Sequence, residues 1–570
     1  MNKKKHGKIY SCIVLWAIFV VSPNYLLAQK DTFTVQMFKY SDPSPQGWNQ
    51  PYSGTIRFPK TSGEWRKIYL IQKIKCDVRT AADTFPCGEW DYHTHTVLTD
   101  STGERFELAG FITPYGKRLD LGPNGKEFIY DITDYAPILT GTKRIISGNN
   151  QELLDLKFVF IKGKPERKSI AIRNIYPTGL YSYGALAKDS IFKSTKVILD
   201  PRTKHVSLLS RISGHGHFGP YNCCEWVAKK HSWRVNGEEK FFWNIWKDCG
   251  MNPIYPQGGT WQFDRAGWCP GTKIDEYYFD LTPWINLGDT LTLDYSIEPP
   301  SFQEEEQGEY RQCHQLIEYE EYNFENDAAL DEIVRPTNKD EYARFNPTCQ
   351  SPMVVVKNTG KNNLTQIDIE HGLDNHKKQI YHWNGLVLPG EKITVYLPNI
   401  EFRKIKKSKY YIANILKVNG LDDKNQSNNN LTAPYQAPMV LPEKWILKIE
   451  ANDQNRANET SYSILNDQGT VVISRDNLED STVYKDKIKL TPGCYTLVIK
   501  DKKQDGMIKH WWLRNSEPDK VGTNGNIEIT QTNGVLIKKL PFDFADTLYF
   551  AFFCRKNSLT LNKKDERKQY

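Results

Sequence analysis

Apolar and polar residues alternate with a period of two along most of this chain. Leu154, Leu156, Phe158 and Phe160 fall on one face of such a run, and Leu291, Leu293, Tyr295 and Ile297 on one face of another, with polar residues interleaved. Strands with one buried face produce this pattern. Strand-like runs such as KIYLIQKIKC, RFELAGFIT, EFIYDIT, KHVSLLSRIS and EYYFDLTPWI are separated by Gly, Pro and Asp clusters, and long helical periodicity is absent. The pattern predicts an almost all-β chain of sandwiches or jelly rolls.

At 570 residues the chain exceeds what one hydrophobic core supports, so several domains are expected. Residues 1–28 carry Lys3, Lys4, Lys5 and Lys8, an apolar run from Ile13 to Val21, and Leu26-Leu27-Ala28. This reads as a removable secretory signal, too short to span a membrane, with the mature chain starting near Gln29. Composition shifts then divide the chain into a first β-domain over 29–182 and a second over 183–324. A charged linker over 325–347 follows, then an immunoglobulin-like module over 348–440, a final β-sandwich over 441–557 and a basic tail over 558–570. In the last sandwich, Cys494 of CYTLVIKD and Cys554 of DTLYFAFFC are candidates to pair, and adjacent Trp511 and Trp512 point to opposite faces if they lie on a strand.

Charge and cysteine content narrow the class. The formal charge is +7; the leader's four lysines account for +4 of it and leave a mature chain of +3. So weak a balance argues against nucleic acid as the main partner. Setting Cys12 aside, ten of the eleven cysteines remain, an even number that suits disulfides in an oxidising compartment. Export to the periplasm or beyond, with possible surface association, is the expected location, and no integral membrane segment is expected in the mature chain. Fifteen Trp and 31 Tyr fit both large sandwich cores and aromatic platforms for sugar rings.

Three segments carry candidate chemistry. In CGEWDYHTHTVL, Asp91 follows Trp90 after a Cys-bounded loop. In RISGHGHFGPYNCCEWVAKKHSW, Glu225 precedes Trp226 in a Gly- and Cys-rich loop. In GMNPIYPQGGTWQFDRAGWCPG, Arg265 and Trp268 lie near Cys269, with Cys249 upstream as its natural partner. Cys76 with Cys87 and Cys249 with Cys269 read as structural disulfides.

From the EWD element through ITPY and DITDY to DRAGWCPG, over roughly residues 60 to 300, the chain resembles the peptide:N-glycosidase F family of flavobacteria. The resemblance implies two adjacent eight-stranded jelly rolls with a substrate cleft at their interface, and hydrolysis of the amide bond joining an N-linked glycan to asparagine. N-linked glycoproteins or glycopeptides would be the substrates, with no metal or organic cofactor, and a monomer is expected. Asp91 falls on the family's essential aspartate and Glu225 on its second acidic residue, while Trp226, Arg265 and Trp268 fall on cleft residues. Trp90, Tyr92, His215 and His217 complete the expected substrate contacts. In this chemistry a carboxylate orients and deprotonates water, because an amide is a poor electrophile and water a weak nucleophile. Asp91 is the candidate for that role, with Glu225 holding the core sugar or a bridging water, and Arg265 positioning the amide or stabilising developing negative charge.

Departures from the family's pattern are as specific as the matches. Cys223 matches the first cysteine flanking the Glu-Trp pair, but Val227 replaces the second, which leaves Cys223 and its extra neighbour Cys224 free or paired elsewhere, with Cys313 or Cys349 available. A cleft Trp is replaced by His215, the position after the aspartate is Tyr92 rather than Arg, and a third acidic residue has no counterpart. Gly148 stands at that position and Glu152 is the nearest carboxylate.

Each candidate also has a structural reading. Asp91 or Glu225 can be a turn-capping or paired surface acid, and Trp90, Trp226 and Trp268 can be core residues. Two further function classes compete. His93 with His95 and His215 with His217 are two apart, a spacing that can chelate copper or zinc on a strand. A glycoprotein-binding protein of the same fold without turnover is compatible with the aromatic residues and the missing third acid.

Overall fold

The computed structural model describes residues 31–556 apart from 48–49, 61–63, 80–83, 149–151, 286–289, 346–347 and 401–407. The expected leader and basic tail lie outside the described residues. Among those residues strands dominate, and no helix is long and apolar enough to cross a membrane.

The first unit holds eight strands, β1 (Thr32–Phe38), β2 (Tyr52–Arg57), β3 (Trp65–Cys76), β4 (His93–Thr99), β5 (Arg105–Ile112), β6 (Lys126–Asp131), β7 (Thr142–Ser147) and β8 (Glu152–Lys162). They form two sheets ordered β1-β8-β3-β6 and β5-β4-β7-β2. Successive strands alternate between the two sheets except at β4 and β5, which are neighbours in one sheet, and this is jelly-roll connectivity. The alternation seen in the sequence now has a destination: Leu154, Leu156, Phe158 and Phe160 of β8 all face the core at 1 % exposure or less. Each such side chain contributes about 1.5–3 kcal/mol through burial.

The second unit repeats the design. Its strands are β9 (Arg167–Ser182), β10 (Thr195–Ile198), β11 (His205–His215), the short β12 (His217–Phe218) and β13 (Cys223–Cys224), β14 (Lys230–Val235), β15 (Glu238–Asn244), β16 (Thr272–Lys273), β17 (Glu276–Asp280), β18 (Thr290–Ile297) and β19 (Glu309–Tyr322). Two four-stranded sheets, β17-β11-β19-β9 and β10-β18-β14-β15, again follow jelly-roll order, β12 pairs with β13, and β16 leaves the roll to extend the first unit's sheet beside β5. Because β9 pairs with β19 through Arg167–Ser182, the boundary expected after residue 182 falls before Arg167 instead. Local polarity hid this, since β9 alternates like any neighbouring strand.

The charged stretch 325–347, expected to be a linker, instead supplies β20 (Ala328–Arg335), which pairs with β21 (Met353–Asn358) in the third unit's sheet. Ala328, Leu330 and Ile333 are buried there, and the charges that made the segment look like a linker lie between them. The fourth unit is a second two-sheet sandwich. Its Met439–Pro442 strand pairs in parallel with Thr547–Arg555, so the unit begins before the expected residue 441.

The expected Cys494–Cys554 bridge does not form. These residues lie on adjacent antiparallel strands, but Cys494 is opposite Phe553 and Cys554 opposite Gly493. A one-residue offset sends the two side chains to opposite faces of the sheet. Cys494 faces the third unit and is bonded to Cys349, while Cys554 packs in the fourth unit's core as a free thiol. Trp511 and Trp512 also depart from expectation: they open a 3-10 turn, Trp511–Arg514, and both are half-buried.

Candidate active site

Asp91 is fixed from both sides of the chain. The Cys76–Cys87 disulfide closes the loop that precedes it, and within that loop Asp77 N–H donates to the Pro86 carbonyl at 2.9 Å. Immediately after it, Tyr92 N–H donates to Thr113 Oγ1 at 2.8 Å, and Thr113 N–H returns a bond to the Tyr92 carbonyl at 3.1 Å. Asp91 therefore sits at the mouth of β4, held by the strand rather than by its own side chain.

The opposing wall belongs to the second roll. Glu225 follows β13, and its backbone is clamped between Gly216 and Ala266: its N–H donates to the Gly216 carbonyl at 3.2 Å and its carbonyl accepts from Ala266 N–H at 2.9 Å. Arg265 exchanges backbone bonds with Lys247, and the next turn requires glycine. Gly267 has φ +82°, and a Cβ there would meet the Ile212 carbonyl oxygen at 2.3 Å. The same loop is laced to the first roll, where Gly258 N–H donates to the Tyr115 carbonyl at 2.7 Å and Gly271 N–H to the Ile112 carbonyl at 2.8 Å. The Cys249–Cys269 disulfide closes it.

Arg265 organises this wall from beneath. Its guanidinium donates through Nε to Glu225 Oε1 at 2.9 Å, through Nη1 to the Phe263 carbonyl at 2.8 Å and through Nη2 to Thr260 Oγ1 at 3.1 Å. It lies between two indoles, 4.3 Å from the Trp226 ring and 4.8 Å from that of Trp268. Arg265 is 1 % exposed and Trp268 2 %, and the Trp268 indole N–H donates to the Gly214 carbonyl at 2.8 Å. Both are expected from the sequence to line the cleft; here their polar groups are taken up by the protein, and they support the wall.

His215, expected among the substrate contacts, is also buried. It is 7 % exposed, packs against His93 with ring centroids 3.5 Å apart and the rings tilted by 33°, and shares a 2.8 Å hydrogen bond with Ser213 Oγ. Burial drives both His93 and His215 well below the usual histidine range, so they are neutral. His217, by contrast, is exposed, and its Nε2 lies 3.0 Å from Glu225 Oε2 and 3.3 Å from the Trp226 indole nitrogen. That nitrogen can donate to the carboxylate or accept from the indole, but not both at once. Hydrogen bonding to Glu225 raises the His217 pKa against the pull of partial burial, so proton uptake favours the carboxylate contact.

Electrostatics join the two walls. Burial pushes the Asp91 carboxyl up to about 6, the Arg265 charge opposes the rise, and the Glu225 charge adds to it. Trp90 stands beside Asp91 with 54 % of its surface exposed, and Tyr92 and Trp226 are half-buried. Of the expected site residues, Trp90 and His217 are exposed and Asp91, Tyr92, Glu225 and Trp226 are half-buried.

Two features escaped the sequence reading. Tyr115 of the ITPY segment is 8 % exposed and feels the charges of Asp91, Arg265 and Glu225; its position after Thr113, the partner of Tyr92, was the available signal. Phe263 packs edge-on against Trp226 and against Trp512 of the fourth unit, with centroids 6.4 and 5.7 Å apart. No local pattern in the sequence announces that long-range contact. Of the two positions weighed for a third acid, Gly148 packs on Thr94 beside His93, where a Cβ would meet Thr94 Cα at 3.0 Å, and Glu152 is fully buried in β8. Cys223 and Cys224 form a disulfide with each other, which leaves Cys313 a free buried thiol. Among the described residues, His93, His95, His215 and His217 do not assemble a group of three metal-ligating atoms; Glu459, Asp501 and Asp505 do.

Residues 182–317 match the family model described as peptide-N-glycosidase F, C terminal. The peptide-N(4)-(N-acetyl-beta-D-glucosaminyl)asparagine amidase F of Elizabethkingia miricola is 29 % identical over 293 residues, which is 47 % of this chain and 78 % of that protein. Among solved structures, PNGase F from Flavobacterium meningosepticum is 25 % identical with a TM-score of 0.42, over 51 % of this chain and 96 % of that one. PNGF-II is 17 % identical with a TM-score of 0.38, over 52 % and 66 %. Through this family match and this sequence relationship, the chain is similar to the peptide-N-glycosidase F family.

Proposed function

We propose that the protein is a peptide:N-glycosidase: it hydrolyses the amide between asparagine and the first sugar of an N-linked glycan, leaving aspartate in the peptide and releasing the glycan as a glycosylamine. One observation carries the reading. A half-buried aspartate from one jelly roll, with its carboxyl pushed up to about 6, faces a Glu225–Arg265 pair from the other across an aromatic-walled interface.

In this reading Asp91 is ionised near neutral pH and takes a proton from water as the oxygen attacks the side-chain carbonyl carbon. A C–O bond forms and the C–N bond breaks, and the same proton passes to the departing nitrogen. Free glycosylamine then loses ammonia in water. Glu225, oriented by Arg265 and His217, holds the core sugar or a bridging water, and exposed Trp90 with half-buried Trp226 supplies flat apolar area for sugar or peptide. No step needs a metal or organic cofactor. N-glycoproteins or glycopeptides are the substrates, and the enzyme works as an exported monomer.

Heavy-oxygen water tests the bond that is cut. A defined N-glycopeptide digested in it should yield a peptide with the label in a new aspartate carboxyl group. An unlabelled peptide that retains asparagine, with or without a sugar stub, would point to glycosidic cleavage instead and overturn the assignment.

A further inference from the structure

The fourth unit carries a cluster that the proposed reaction does not use. Glu459, Asp501 and Asp505 each offer a carboxylate oxygen, and these oxygens lie within 4.8 Å of one another. Asp501 and Asp505 are 2 % and 3 % exposed, while Glu459 is half-buried and leaves an approach from solvent. Like charges packed this closely out of water repel strongly, so the arrangement calls for a counter-charge.

Part of it is satisfied by the protein. Asp501 Oδ1 accepts from Lys503 N–H at 2.9 Å and Asp505 N–H at 3.4 Å, Asp501 Oδ2 accepts from Thr460 Oγ1 at 3.2 Å, and Asp505 Oδ2 meets His510 Nε2 at 2.6 Å. The charges of Lys503, His510 and Arg456 also reach Glu459. The other oxygen of Asp505, Oδ1, is buried with no hydrogen-bond partner. A fully buried carboxylate oxygen with nothing to accept is rare in folded proteins, and here it belongs to a residue already drawn into a three-carboxylate cluster. The turn that presents it, Asp501-Lys-Lys-Gln-Asp505-Gly506, bends through left-handed backbone at Gln504 (φ +61°) and Gly506 (φ +67°).

We propose that Glu459, Asp501 and Asp505 bind one divalent cation of the calcium type, which fastens the 501–512 loop against the catalytic unit. Two carboxylates from one irregular turn and a third from the Ala457–Glu459 segment suit calcium, which takes oxygen ligands in irregular geometry, better than magnesium, which demands a regular octahedron. The loop continues to the cleft through contacts that can be followed atom by atom. His510, bonded to Asp505, stacks on Trp512 with centroids 4.4 Å apart, and Trp512 packs on Phe263, whose carbonyl accepts from Arg265. The cation therefore sits at the far end of a chain of ring contacts that ends at the wall holding Glu225. The inference stands independently of the reaction proposed above.

The test uses the whole mature protein stripped with EDTA. Calorimetric titration with calcium chloride should show one site per chain, and thermal unfolding should shift upward by several degrees in calcium over EDTA, with magnesium giving little. Glu459→Gln and Asp505→Asn should each weaken calcium binding at least tenfold. If Asp505→Asn fails to fold, the half-exposed Glu459→Gln decides alone. Absence of calcium binding by the wild type, or binding unchanged in the variants that fold, would overturn the site.

Discussion

Arg265 Nε donates to Glu225 Oε1 at 2.9 Å from a position only 1 % exposed, between the rings of Trp226 and Trp268. A buried guanidinium held by two indoles fixes the carboxylate in direction as well as in charge. Arg265→Lys retains the charge but loses the planar fork and the double stack. We expect kcat/KM on a glycopeptide to fall about 10²–10³-fold and the protein to lose about 2–4 kcal/mol of stability. Activity within a factor of two of the wild type would show that Glu225 needs no such support.

Asp91 sets the acid limb of the pH profile. With its carboxyl at about 6, kcat/KM should rise through that pH and level off above it. The stability linkage has the opposite sense. A folded-state value raised from 3.8 to about 6 means that the folded protein holds the proton more tightly, so the ionised form destabilises it at neutral pH and the penalty vanishes below pH 3.8. Asp91→Asn should therefore be more stable than the wild type by about 1–3 kcal/mol at neutral pH and equal to it in acid, as read by denaturant titration at the two pH values.

Trp90 is exposed and adjacent to Asp91, so its loss should affect binding more than folding. Trp90→Ala is expected to raise KM about 5–20-fold with the unfolding temperature unchanged, since one aromatic contact contributes about 1–2 kcal/mol. A drop in unfolding temperature with KM intact would assign Trp90 to the core.

The third and fourth units are tied by Cys349–Cys494 across 145 residues of sequence. Replacing both cysteines with serine should lower stability by about 2–5 kcal/mol in non-reducing buffer. Cys554→Ser should leave the disulfide count unchanged in a thiol titration, because Cys554 is already free.

The strands were legible because their signal is local. Leu291, Leu293, Tyr295 and Ile297 all turned inward, as period-two spacing requires. The Glu-Trp and Asp-Arg segments were legible as motifs, and the structure brings Asp91 within electrostatic reach of Glu225 and Arg265. What was not legible depends on register or on depth. Cys494 and Cys554 missed each other by one residue of strand register, which no spacing in the chain reveals. Arg265, Trp268 and His215 look like surface chemistry in Gly-rich segments, and contacts distant in sequence bury them: Glu225 and Trp226 for Arg265, Ile112 for Trp268 and His93 for His215. The 325–347 stretch was misread because its charges outnumber the five buried apolar residues that place it in a sheet.

The most direct test of the central claim is mass spectrometry of one defined N-glycopeptide after incubation with the wild type and with Asp91→Asn, each shown to be folded. The account predicts an intact released glycan and an aspartate in place of asparagine with the wild type, and at least a thousandfold slower conversion with the variant. Conversion at a similar rate by both proteins would remove Asp91 from the chemistry, and no conversion by the wild type would contradict the amidase reading itself.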